Sequence, residues 1–331
     1  MKSELLTAFT EEIISNAAKR FGLDTEKIKS LDGFENYVCE STRSGRPYVL
    51  RISHSARRSA DQVRAELDWV NYLAEHGASV CVPMRSNDGS LVETFESGEQ
   101  TLCAVVFEKA EGRYIKRDNQ TPAMTRNRGR LLGKIHALSK AYVSGEGRPQ
   151  RFHWYQEEDF ADFEKFLGPG DSGVARKFHE LITRLRSFPT DRESYGLIHF
   201  DAHTGNMLFE GNRPTLFDFD DCAYDFFMAD IAIPLFYAVL FLPDKWKPIE
   251  YARGFLNEMF EGYSEHNSLD RRWLELIPLI LKRREMILYV AIHRGFDTDN
   301  LNDWCRRYMS GRKERIEEDV PVLDMDFSEF G

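Results

Sequence analysis

With 331 residues and a mass of 38.5 kDa, the chain is long enough for two domains or one bilobed unit with real cores. Its 42% hydrophobic, 13% aromatic and 30% charged residues exclude a disordered, collagen-like or coiled-coil chain. The formal net charge of −10 is shared evenly by the residues before and after position 108, which argues against a duplex nucleic-acid binder, since that needs an excess of Lys and Arg.

In chain order, residues 1–22 carry acids where a signal peptide needs a continuous apolar stretch. Apolar positions at Ile13, Ile14, Ala17, Ala18 and Phe21 predict an amphipathic helix instead. From about residue 33 to 107 the pattern is that of a small α/β unit. Residues 36–40 and 47–53 alternate around a Ser44-Gly45-Arg46 turn, which predicts a β-hairpin. A helix over 60–76 follows, stopped by Gly77, and strands are expected at 91–95 and 101–107. Beyond the polar segment 108–112, helical spacing recurs at 122–140, 155–167, 173–187, 226–241, 247–263 and 271–293, with one β island at 197–219. The division expected is residues 1–108 and residues 109–331, with the cleft between two lobes as the default site. The greasiest run, 231–242, contains Pro234 and is far shorter than the roughly 20 residues of a membrane span, so it reads as a buried core helix. Cys39, Cys81, Cys103, Cys222 and Cys305 form an odd set without a C-x-x-C pair, as expected of reduced thiols in a cytoplasmic protein.

The chemistry is concentrated in Leu197-Ile198-His199-Phe200-Asp201-Ala202-His203-Thr204-Gly205-Asn206, followed by Phe217-Asp218-Phe219-Asp220. An apolar strand leads into His199 and Asp201, a short loop delivers Asn206, and a hairpin turning at Gly211-Asn212 delivers Asp218. A three-residue connection puts Asn206 and Asp218 directly opposite, and a two-residue one offsets them by one. Either way an amide oxygen and a carboxylate approach one point, as hard ligands of Mg²⁺ must. Asp201, on the same loop, is then able to receive a proton from a hydroxyl. H-x-D-x-x-x-x-N followed by D-F is the base, metal-ligand and metal-ligand spacing of phosphoryl transfer.

On these motifs the sequence resembles the aminoglycoside phosphotransferase and choline kinase family, small-molecule relatives of the protein kinases, over roughly residues 30–295. The resemblance implies an α+β, bilobed protein-kinase-like fold, with a small N-lobe of antiparallel sheet plus helix and a larger, mostly helical C-lobe. It also implies ATP as donor, Mg²⁺ as cofactor and a small-molecule hydroxyl acceptor, with neither nucleic acid nor membrane as partner. Carried over by residue, Asp201 would be the catalytic base, with Asn206 and Asp218 the Mg²⁺ ligands. His199 would brace the loop, and Asp230 would be the buried aspartate that holds the loop backbone. Glu108 and Ala110 would read the purine edge through their backbones, and 32–36 would be a glycine-poor phosphate-covering turn.

A second signal is independent of that motif. Glu66 lies on the apolar face of the 60–76 helix, among Val63, Leu67 and Val70, and a carboxylate there needs a cation. Arg51, out of phase with Leu50 and Ile52, is the candidate, and an Arg51–Glu66 pair would match the Lys–Glu pair that positions ATP phosphates in kinases. Arg stands where Lys is commoner, and it can clamp phosphate bidentately. Other features read more plainly: His136 as a packed histidine, Arg283 and Arg284 on a solvated face, and the acids Glu157, Glu158, Asp159, Asp162 and Glu164 as a solvated helix face or an attractant for a cationic acceptor.

Rivals are a Ser/Thr protein kinase of the same fold, a nucleotide-binding pseudokinase, and a metallohydrolase built on His199-x-Asp201-x-His203. The short interval between Asp218 and Asp230 leaves no room for a long activation loop and favours a small acceptor.

Overall fold

Residues 9–31, 35–98, 100–145 and 147–330 are described by the computed structural model. They divide into two compact units. The first comprises 1–112, 142–151 and 215–220, and the second 113–141, 152–214 and 221–331.

In the first unit, Thr10 accepts the Ile13 N–H and starts helix α1 (Glu11–Arg20), whose Ile14, Ala17 and Ala18 are buried. An antiparallel sheet follows, in the order β1 (Lys29–Leu31), β2 (Tyr37–Arg43), β3 (Arg46–His54), β6 (Gln100–Glu108), β4 (Pro83–Met84), with β5 (Glu93–Ser97) also paired to β6. The β2–β3 turn is the two-residue Ser44-Gly45, both with positive φ, 51° and 79°. That is the hairpin connection whose twist matches the flanking strands. Helix α2 (Ala60–Glu75) opens with a Ser59–Gln62 capping box and ends before Gly77, whose φ is 75°.

Alternation along the strands sends their side chains to opposite faces. Leu50, Ile52, Leu102, Ala104 and Val106 pack with α1 in one cluster. Cys103 and Val105 join Val63 and Leu67 of α2 in another. This phase is what turns Arg51 toward α2. The short strands β1 and β4 left no pattern to read.

In the second unit the helices are α3 (Pro122–Ala141), α4 (Ser172–Arg186), α5 (Ala229–Val239), α6 (Pro248–Tyr263), α7 (Leu276–Gly295), α8 (Asp303–Met309) and α9 (Arg312–Glu317). The expected helix at 155–167 is instead three short pieces, Trp154–Gln156, Glu158–Ala161 and Phe163–Phe166. Extended backbone at Glu157 and a non-helical Asp162 break it, while Trp154, Phe160 and Phe163 stay buried. Helices α3 and α6 approach at backbone distance. A Cβ added to Gly129 would meet the Met259 carbonyl oxygen at 2.0 Å, and one on Gly262 the Arg126 carbonyl oxygen at 1.8 Å. The β island begins with β7 (Tyr195–Ile198), which pairs antiparallel with β10 (Ala223–Phe226). Strands β8 (Met207–Glu210) and β9 (Arg213–Leu216) form a ribbon with the two-residue connection Gly211-Asn212, and β9 carries the chain into the first unit. At the C-terminal end, buried Glu285 of α7 receives Lys282 at 2.9 Å and Arg312 at 2.5 Å. Among the described residues no helix is long and apolar enough to cross a membrane.

Candidate active site

In the second unit β7 delivers the loop that begins at His199. Asp230, near the start of α5 and fully buried, accepts the His199 N–H at Oδ2 and the Phe200 N–H at Oδ1, both at 2.8 Å. His136 Nε2 lies 3.2 Å from Asp230 Oδ2 and its Nδ1 lies 2.9 Å from the Tyr263 hydroxyl, so this histidine is a packed one. The two bonds from Asp230 fix Phe200 at φ 73°, a conformation a bulky residue adopts only when its surroundings impose it. His199 is buried, and its Nδ1 accepts the Asp201 N–H at 3.2 Å.

Asp201 thus emerges from a loop held on both sides. Its Oδ1 accepts from Arg284 Nη2 at 2.6 Å, and its Oδ2 lies 3.2 Å from His203 Nε2 and 3.3 Å from Asn206 Nδ2. The Gly205 N–H donates to His203 Nδ1 at 2.8 Å, which leaves the ring proton on Nε2, facing the carboxylate. Burial pushes the Asp201 carboxyl upward, but the pull of His203 and Arg284 exceeds it and holds the group well below the usual carboxylate range. Asn206 also donates Nδ2 to the Asp201 carbonyl at 2.9 Å. Its Oδ1 is left without a partner among the described residues.

The reading of Arg283 and Arg284 as a solvated face is corrected. Helix α7 is buried on nearly every side. Arg283 forms a buried ion pair with Asp225 and lies 4.6 Å from the Trp154 ring, while Arg284 reaches Asp201 and the Tyr237 hydroxyl. Long apolar runs on both sides of the arginine pair were the available signal, because a helix apolar all round is a buried one. Three of the acids at 157–164 are paired within the unit: Asp159 with Arg294 at 2.8 Å, Asp162 with Lys165 at 2.7 Å and Glu164 with His179 at 2.7 Å. Among the described residues no three His, Cys, Asp or Glu side chains cluster as a metal cage, and His199 spends Nδ1 on the loop backbone, which leaves the metallohydrolase reading without support.

In the first unit Arg51 grips Glu66 bidentately, at 2.9 and 2.7 Å, with side chains 5% and 0% exposed. Arg51 Nη1 also lies 3.8 Å from Asp218 and 3.9 Å from Asp220. Asp218 has φ 64°, and its side chain is half exposed. The next residue, Phe219, packs edge-on against Trp69 at 5.5 Å. Asp220 then anchors the segment. Its carboxylate takes Asn36 Nδ2 at 3.0 Å and an ion pair with Arg57, and its carbonyl accepts from Arg58 Nε at 3.2 Å and Arg151 Nη2 at 2.7 Å. Asp220 belongs to the D-F-D motif and Asn36 to the 32–36 turn, but neither was given this anchoring role, and Arg57, Arg58 and Arg151 were not singled out, since these partners lie some 60–180 positions apart in sequence. Glu108 ends β6 and donates its N–H to Val82 at 2.9 Å, and the Ala110 N–H is directed at the Cys81 thiol. Of the phosphate-covering turn, Asp32, Gly33 and Phe34 lie outside the described residues, and Glu35 pairs with Arg57 at 3.4 Å.

A family model described as "Phosphotransferase enzyme family" matches residues 27–273. The chain belongs to this family. The phosphotransferase is 33% identical over 324 residues to the amicoumacin kinase of Bacillus subtilis (strain 168), covering 96% of this chain and 95% of that one. It is 28% identical over 280 residues to a homoserine kinase of Rhizobium meliloti (strain 1021), covering 80% and 78%. The solved structure of amicoumacin kinase hAmiN in complex with AMP-PNP, Ca²⁺ and Ami superimposes with a TM-score of 0.93 at 31% identity, over 99% of both chains. Aminoglycoside phosphotransferases and choline kinases share the fold, so the expected α+β, protein-kinase-like architecture is the one observed. The phosphotransferase is accordingly a small-molecule kinase.

Proposed function

We propose that this phosphotransferase moves the γ-phosphoryl group of ATP, with Mg²⁺, to a hydroxyl of a small-molecule acceptor, and that amicoumacin is the first acceptor to test. Full-length likeness to amicoumacin kinase supports the acceptor, and the AMP-PNP and Ca²⁺ in the hAmiN complex support nucleotide and divalent cation.

The observation that carries the reading is the Asp201 carboxylate, held ionised by Arg284 and His203 in a loop fixed by Asp230. Such a carboxylate accepts a hydrogen bond from the acceptor hydroxyl, aims its oxygen at phosphorus and takes the proton as the new bond forms. His199 keeps the loop in register through its bond to the Asp201 N–H.

Asn206 and Asp218 are each donors of the kind that Mg²⁺ takes. With Nδ2 tied to Asp201, Asn206 offers only its oxygen, and half-exposed Asp218 offers a carboxylate, two hard ligands of the type that Mg²⁺ combines with phosphate oxygens and water. When bound, the cation neutralises charge on the transferring phosphates. Arg51, anchored by Glu66, contacts the α- and β-phosphates, and the backbone of Glu108 and Ala110 reads the purine through carbonyl groups, since the two N–H groups are taken by Val82 and Cys81. An ATP-consuming reaction of this type belongs in the cytoplasm.

The test is ADP release from Mg·ATP with amicoumacin, homoserine, aminoglycosides, amino alcohols and a generic protein, with Asp201→Asn as the blank. Turnover with one small-molecule class supports the reading. Binding of Mg·ATP without turnover on any acceptor points to the pseudokinase, and absence of ATP binding overturns the reading.

A further inference from the structure

The two neighbouring arginines of α7 are used very differently. Arg283 gives Nη1 and Nη2 to the two oxygens of Asp225 and is enclosed by the rings of Trp154, Phe160 and Phe200 at 4.6–5.7 Å. Both of its terminal nitrogens are committed. Arg284, with its side chain 11% exposed, commits only one of its three nitrogens, since Nη2 serves both Asp201 Oδ1 and the Tyr237 hydroxyl. Nε is buried with no acceptor. Nη1 has no acceptor among the described residues and is not among the buried, unpartnered atoms, so it retains access to solvent.

We propose that Arg284 Nη1 is the subsite for a carbonyl or carboxylate oxygen of the acceptor, beside the hydroxyl that Asp201 orients. The inference rests on the kinase reading above and narrows its acceptor to hydroxy acids, hydroxylated amino acids and hydroxy amides.

Three features carry it. A guanidinium carries five N–H donors, and Nη1 is the nitrogen of Arg284 that is both uncommitted and open to the site, so it can give hydrogen bonds to a ligand oxygen without breaking the contacts of Nη2. Burial works against the charge of Arg284, but Tyr237, Asp201 and Asp221 beside it hold the guanidinium ionised. Its plane is also set, because it lies over the Tyr237 ring at 5.0 Å, and the His203 ring meets the same tyrosine at 4.5 Å. With Nη2 on Asp201, hydrogen bonds of ordinary length from Nη1 and from Asp201 confine the two ligand oxygens to about 3–6 Å of each other. The recognised oxygen is therefore two to four bonds from the carbon that carries the hydroxyl. A site built to hydrogen-bond a group rejects analogues lacking it far more strongly than a hydrophobic pocket rejects a missing methylene.

Matched acceptors test this. L-Homoserine and L-threonine are compared with 3-amino-1-propanol and 1-amino-2-propanol, the same molecules without the carboxylate. Amicoumacin serves as the reference acceptor, and KM and kcat are measured for wild type, Arg284→Lys and Arg284→Met. The expected result is a preference of about tenfold or more in kcat/KM for the carboxylated member of each pair. That preference shrinks in Arg284→Lys and disappears in Arg284→Met through KM of the acceptor, with KM for ATP unchanged. Equal loss for both members of a pair would assign Arg284 to positioning Asp201 alone and overturn the subsite. Wild-type preference for the amino alcohols overturns it as well, and so does turnover of amicoumacin with none from either carboxylated acceptor, which leaves the kinase reading standing. No ADP release with any acceptor overturns both. If Arg284→Met does not fold, wild type and Arg284→Lys decide the outcome.

Discussion

Asp201 is surrounded by donors: Arg284 on one oxygen, His203 and Asn206 on the other, and its own N–H given to His199. Replacing it with Asn removes the negative charge while keeping the shape. Turnover should fall by about 10²–10⁴-fold if Asp201 takes the proton, with KM for ATP nearly unchanged, as steady-state ADP release will show. The sign of the pH effect follows from the depressed carboxyl. A group held below its unfolded value of about 4 stabilises the fold at all higher pH and loses that contribution as pH falls below it. The stability gap between wild type and Asp201→Asn in urea melts is expected to be flat from pH 8 to 5 and to narrow toward pH 3. Glu66 gives a second prediction at this scale. Glu66→Ala removes the bidentate partner of Arg51 in a site only 5% exposed and leaves it the longer approaches of Asp218 and Asp220, which costs about 1.5–3 kcal/mol and raises KM for ATP. A variant with unchanged melting and unchanged KM would show the pair to be incidental. Arg51 and Glu66 were legible in the sequence because strand and helix phases each put a charge on an apolar face. For Arg284 the flanking apolar runs signalled burial, but its partner did not show, because Asp201 lies 83 residues away.

Among the elements, the α3–α6 contact depends on the absence of side chains. Gly262 brings its Cα against the Arg126 backbone, and Gly129 does the same against Met259. A methyl group at either glycine forces two helix backbones apart. Gly262→Ala should therefore lower the melting temperature, by an overpacking cost of about 1–3 kcal/mol or more, although alanine favours an isolated helix. Calorimetry that finds the variant unchanged or stabilised would contradict the close approach. His136 and Tyr263 sit on these same two helices, and Tyr263 holds His136, which reaches Asp230, so the variant should also depress kcat. Elements with long periodic patterns, such as α2, α3 and α6, were readable from the sequence to within a residue or two. The 155–167 stretch was misread because its buried aromatics mimic helical spacing while Glu157 and Asp162 leave the helical region. Strand β10 was missed because its pairing with β7 is a tertiary fact, and α8 and α9 were missed because they are short and dock through polar links to Glu285.

Over the whole molecule, the five cysteines are free and buried. Burial pushes the Cys39 thiol up to about 11 and the Cys81 thiol up to about 12, so neither supplies thiolate at neutral pH. Native protein should react slowly with a thiol reagent at pH 8 and release five equivalents only in denaturant; rapid labelling of several thiols would contradict the burial. The chain itself passes between the two units repeatedly, since the first is assembled from 1–112, 142–151 and 215–220. A gene fragment ending at residue 112 would therefore encode Arg57 and Arg58 without the Asp220 that both of them hold, and would lack Arg151 as well. No single cut, by protease or by recombination, yields the first unit intact. The first unit is therefore not a transferable cassette, and exchange between relatives would have to carry three stretches of sequence at once.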